Sequence, residues 1–126
     1  MAGDDAARDP TETGRLSSER IDELLANRHR RVALCHLYAS PNPVSLPEIA
    51  DEVTRLEYRD PVEERLDERL HIYMSLYHDH VPTLEAAGLV EYDQAADTVE
   101  LTERAAAVEP RVERVARDVL DEIRDS

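Results

Sequence analysis

The stretch HVPTLEAAGLVEYD, His80 to Asp93, runs at helical spacing into Gly88 and then alternates apolar and polar residues. A glycine just past a helix end lets the chain turn out with positive φ. Val90 and Tyr92 then fall on opposite faces from their neighbours, as a strand requires, and Leu89 can pack beneath it. A second alternating run, TVELT, follows the tetrapeptide QAAD. The pair predicts a β-hairpin with strands near 89–93 and 98–102. A chain built around this handover is α+β, with its strands after its helices.

Upstream the signals are helical. From Ser17 or Ser18, an N-cap candidate, apolar residues recur at Ile21, Leu24, Leu25, Val32, Cys35 and Tyr38, with Leu34 and Leu37 widening the stripe. One helix, broken or continuous, fits this run and ends before SPNP at 40–43. SLPEIADEVTRL then offers Ser45 and Glu48 as a capping box, Pro47 in the tolerated first turn, and an apolar face of Leu46, Ile49, Ala50, Val53 and Leu56. DPVE repeats that logic with Asp60 as cap, opening a long third helix whose stripe is Val62, Leu66, Leu70, Tyr73, Tyr77 and Leu84. Pro82 has no N–H for the carbonyl of His78, so a kink or restart is expected near His80. Residues 1–16 mix acidic residues, Gly, Pro and Thr without periodicity and are expected to form a disordered acidic tail. From about Glu109 a last helix presents Val108, Val112, Val115 and Val119, a spacing that suits a coiled-coil seam or a docking stripe.

Helix, short helix, turn, longer helix and hairpin is the winged helix-turn-helix order. NRHRRVALCHL at 27–37, SLPEIADEV at 45–53, and His80, Pro82, Leu84, Gly88, Val90, Tyr92 and Asp93 together resemble a haloarchaeal family of small, largely uncharacterised winged-helix proteins. The resemblance covers roughly residues 20–103. It implies an α+β, mainly helical winged helix-turn-helix domain over 17–103, with a two-stranded wing, and an extra C-terminal helix over 104–126 as a dimerisation element. Such folds bind DNA by laying the third helix in the major groove, and they also serve as protein-interaction modules.

Charge bears on that choice. The chain carries 29 acidic and 15 basic residues for a net charge of −14, and every basic residue is Arg, because there is no Lys. A carboxylate-rich surface without Lys resembles proteins of salt-in halophilic archaea, which stay soluble in molar KCl. At ordinary ionic strength this charge would argue against nucleic acid. Molar salt screens such a field within about 3 Å, so DNA is not excluded on this ground. The single Cys35 cannot form an internal disulfide, and no segment reads as a signal peptide or membrane span. A cytoplasmic location, with no membrane contact, is expected.

Individual residues carry the functional readings. Arg28, His29, Arg30 and Arg31 form the densest basic run; Arg28, Arg30 and Arg31 could grip phosphates, or could simply balance a nearby acidic surface. On the third helix Arg69, Ser75, His78 and Thr83 lie off the apolar stripe and could reach bases or phosphates, although Glu68 and Asp79 share that element. The hairpin tip, Gln94 to Asp97, has no cation. His71, His78 and His80 include metal-ligand types, but residues two apart on a helix point about 200° from one another, so no metal is expected. Cys35 reads as a small buried hydrophobe. There is no phosphate-cradling glycine loop and no nucleophile elbow, so neither a cofactor nor an enzymatic activity is expected. The valines at 108, 112, 115 and 119 must be covered either by their own domain or by a second copy; a homodimer is the preferred expectation. The expected function is that of a DNA-binding transcriptional regulator, with a protein-protein interaction module as the alternative.

Overall fold

A computed structural model describes residues 17–125, with side chains described through Arg117. The expected tail over 1–16 and the Val119 side chain lie outside the described residues.

The first helical run is broken. α1, Ser18–Ala26, starts where Ser17 Oγ accepts the amide of Arg20, and it buries Ile21, Leu24 and Leu25. Asn27 is extended, and its side chain accepts the amide of Arg30 at 3.1 Å to open α2, Arg28–Ala39. Ala33, Leu34 and Leu37 form the buried face of α2. Asn42 then fastens the end of α2 to the sheet. Its amide donates to the carbonyls of Leu37 and Ser40, and its oxygen accepts from the amide of Leu101 at 2.8 Å.

Two residues, Val44 and Ser45, form β1, which the sequence reading missed. β1 is followed directly by α3, Leu46–Tyr58, where Ser45 Oγ accepts the amide of Glu48 at 3.2 Å. The reciprocal half of the expected capping box is absent: the Glu48 carboxylate meets His36 Nε2 at 2.8 Å instead. Arg59, left-handed at φ 61°, ends α3. Leu46, Ile49, Ala50 and Val53 are buried as expected, whereas Leu56 is 44% exposed.

The third helical run also departs from expectation. Asp60 does not cap it; Arg65 takes its carboxylate at 2.6 Å, and Val62–Glu64 form a single 3-10 turn. α4 spans Leu66–Ser75, a π-helical turn follows over Leu76–His80, and α5 spans Val81–Ala86. The amide of Val81 reaches five residues back to Leu76. This wider turn lies just ahead of Pro82, which has no N–H to give and whose ring would crowd a carbonyl in a regular α-helix. The break falls where the proline predicted it. The expected stripe holds only in part: Leu84 is buried and Tyr73 and Tyr77 pack against the core, but Leu66 is 60% and Leu70 55% exposed, and Ile72 and Leu76 face the core in their place.

Gly88, at φ 81°, closes α5, its amide bonded to the carbonyl of Glu85 and that of Leu89 to Leu84. β2, Val90–Asp93, and β3, Thr98–Leu101, then form the expected hairpin, with Tyr92 opposite Val99. β1 pairs antiparallel with the outer side of β3, Val44 opposite Val99, so the sheet has three strands in the order β1-β3-β2. α6, Glu103–Asp125, starts within one residue of the expected 104, where Thr102 Oγ1 accepts the amide of Ala105 at 3.2 Å.

Ala105, Val108 and Val112 on α6 are buried in the same core as Ile21, Leu34 and Val99, and Val115 packs at its margin. α6 lies across α1 and α2. Val108 and Val112 thus face their own domain, one of the two covers expected for the valine stripe. Their four-residue spacing is that of any helix covering an apolar surface. The architecture is thus α+β and mainly helical, with one small antiparallel sheet.

Candidate interaction surface

Most of the cations expected to meet phosphate are held inside the chain. Arg30 Nε donates to the carbonyl of Leu24 at 2.9 Å, and Arg31 Nη1 to that of Leu25 at 2.7 Å. Both fold back from the first turn of α2 to satisfy carbonyls at the end of α1, which have no amide partner within their own helix. Burial lowers the Arg31 guanidinium from its usual value, with the nearby Arg28 charge adding to the effect. Arg28 alone of the three is exposed and without a hydrogen bond among the described residues. Two of the three arginines thus cap the end of α1 from the first turn of α2.

On α4, Arg69 is bonded to the carboxylate of Asp51 and lies 3.3 Å from the carbonyl of Pro47, tying α4 to α3. Arg65 is shared between Asp60 and Glu68 and lies over the Tyr58 ring at 4.9 Å. Thr83 Oγ1 donates back to the carbonyl of Asp79 at 2.7 Å. Ser75 is half-buried, and His78 is exposed with its ring edge-on to Tyr77. Of the seven residues expected at DNA, four are engaged within the fold, and Arg28, Ser75 and His78 remain open.

Buried histidine chemistry sits behind this helix. His80 is 4% exposed, its ring lies edge-on to His29, and its Nδ1 has no hydrogen-bond partner among the described residues. Burial lowers its pKa. His29 Nε2 meets Glu57 at 2.8 Å, bracing α2 against the end of α3. His71 and His78 are exposed, so the three histidines weighed as ligands do not share an environment. Among the described residues no group of three His, Cys, Asp or Glu side chains is placed to hold a metal ion. Cys35, expected to be buried, is half-buried, and burial raises its thiol above the usual value.

The hairpin is locked to α4 through one carboxylate that sequence reading passed over. Tyr73 donates to Asp97 Oδ2 at 2.8 Å, and Tyr92 to Oδ1 at 2.5 Å. Asp97 sits at φ 56°, a conformation that Asp and Asn tolerate better than most residues. Its carbonyl accepts the amide of Leu46, so one residue joins the hairpin turn, α4 and α3. The sequence signal was an Asp closing a short turn between alternating runs.

What α4 turns outward is apolar and acidic. Leu66, Leu70 and Met74, the last 42% exposed, recur every fourth residue. Exposed Asp67 and His71 follow the same edge, and exposed Glu63 and Glu64 precede it. None of the three carboxylates is in an ion pair among the described residues. The hairpin tip, residues 94–97, adds no cation.

Fold and surface together define a small α+β domain whose α4 turns Leu66, Leu70 and Met74 outward. Residues 22–100 match the model of a domain of unknown function, DUF7344, and the chain belongs to that family. No curated protein and no solved structure matches it. No helix among the described residues is long and apolar enough to cross a membrane.

Proposed function

We propose that the chain is a winged helix-turn-helix regulatory module of a halophilic archaeon and that it acts through protein contact made by α4. The element order and the sheet order β1-β3-β2 support the winged-helix reading, with the hairpin as wing. The haloarchaeal source rests on the acidic surface and the lack of Lys. The observation that carries protein contact is the outward face of α4: Leu66, Leu70 and Met74 are open to solvent while Arg69 is turned inward. Major-groove insertion would set unpaired carboxylates beside phosphates and leave apolar side chains against polar base edges.

Direct DNA binding by a transcriptional regulator is the second reading, favoured by the fold order itself and by the exposed side chains of Arg28 and His78. One pair of experiments separates the two. The purified chain, with and without Leu70→Asp plus Met74→Asp, is used in molar KCl both to capture proteins from a cell extract and to select duplexes from a random DNA pool. Protein contact predicts a captured protein that the double variant loses, with no enriched DNA motif. An enriched motif whose retention falls with Arg28→Glu and His78→Glu would overturn it in favour of DNA.

A further inference from the structure

We propose that the outward face of α4 is a docking surface for an amphipathic helix of a partner protein whose apolar stripe is flanked by arginines. The inference rests on the protein-contact reading and adds the chemistry of the partner. Single exposed leucines are ordinary on protein surfaces. Here three large apolar side chains occupy successive turns of one helix, at 60%, 55% and 42% exposure, in a chain of net charge −14. Residues four apart on a helix are neighbours on one face, so the three form a continuous strip matched to the i, i+3, i+4, i+7 anchors of a second helix.

Charge selects the occupant. Asp67 lies beside Leu66 at the start of the strip and Glu63 and Glu64 directly precede it, all three exposed and in no ion pair among the described residues. The arginines on the same element are committed elsewhere, Arg65 to Asp60 and Arg69 to Asp51. The rim is therefore negative, and a partner that brings guanidinium groups to it gains contact ion pairs as the apolar strips close. A second copy would bring an identical acidic rim, and like charges at a rim oppose association. Molar salt shortens the reach of these charges to about 3 Å, so the rim acts only once the helices touch. Apolar contact then supplies affinity and the arginines supply selectivity.

The test uses the full chain in molar KCl and two labelled helical peptides of the same apolar pattern, one with Arg at the flanking positions and a twin with Glu there. Fluorescence anisotropy is expected to give binding of the Arg peptide at least about tenfold tighter than the twin. Leu70→Asp with Met74→Asp is expected to weaken the Arg peptide by a similar factor or more while circular dichroism stays unchanged, since both side chains are exposed. Equal affinity for the two peptides, or an Arg peptide indifferent to the double variant, would overturn the proposal. So would self-association in sedimentation that the double variant abolishes, which would make a second copy the occupant, or duplex DNA bound through the same strip. If neither peptide binds but extract capture is still lost in the double variant, the arginine chemistry fails and protein contact stands. Capture that survives the double variant removes both.

Discussion

Replacing Val112 by Ala decides where the C-terminal helix belongs. Val112 is 1% exposed and packs in one core with Ile21, Leu24 and Leu34. Val→Ala removes two methyl groups, worth about 0.8 kcal/mol each on transfer from water, or about 1.6 kcal/mol together. The vacated volume, roughly 40 Å³, adds up to about 1 kcal/mol if the surrounding side chains hold their places. A loss of about 2–3 kcal/mol is expected, and for a fold of this size, between the small and the large domain ranges, each kcal/mol lowers Tm by about 4 °C. Thermal unfolding followed by circular dichroism in molar KCl should therefore show a drop of roughly 8–12 °C. Dilution provides the second axis. A valine buried within its own domain gives the same drop at every protein concentration, whereas a valine between two copies gives a Tm that falls on dilution even in the unsubstituted chain. A concentration-dependent Tm, or a variant as stable as the parent, would refute the packing of α6 described above.

Two further outcomes follow from other parts of the fold. Gly88→Ala places a Cβ against Arg104 Nη1 at a residue with φ 81°; Arg104 can swing aside only by giving up its bond to the carbonyl of Ala87. With the left-handed backbone adding about 1–2 kcal/mol, a total loss near 2–3 kcal/mol is expected, measured by urea unfolding. Tyr73 and Tyr92 have pKa values raised above that of free tyrosine, Tyr73 mainly by its hydrogen bond to Asp97 and Tyr92 mainly by burial with that bond second. A group whose folded pKa lies above its unfolded value holds its proton longer in the folded state, so its contribution is complete below about pH 10 and is lost as pH rises further. Stability should decline above that pH, and Tyr73→Phe with Tyr92→Phe should flatten the decline; an unchanged slope would remove these tyrosines as its cause.

The handover at Gly88, the serine cap at Ser45 and the break ahead of Pro82 were legible because each depends on a local backbone requirement that one residue type meets. The face of the third helix was not. Its sequence carries two apolar series, Leu66, Leu70, Met74 and Ile72, Leu76, both at four-residue spacing. Periodicity alone cannot tell which of them meets α2 and α3. The π turn added to the difficulty, since it alters the phase between α4 and α5. β1 escaped notice because two residues are too few to show alternation; its partner β3 defines it. The arginine run at 28–31 looked like a phosphate grip because composition records charge but not the carbonyls at the end of α1 that Arg30 and Arg31 satisfy. Val108 and Val112 were recognised as needing cover, and which surface supplied it depended on the path of α6.

The π turn at Leu76–His80 also sets a length. Upstream of it the side chains of α4 follow one straight edge for ten residues, about 15 Å at 1.5 Å per residue. Beyond it the widened turn offsets the edge, and α5 buries Val81 and Leu84. If a partner helix docks along Leu66, Leu70 and Met74 as proposed, the proline-linked turn would act as a ruler that limits straight contact to roughly three helical turns.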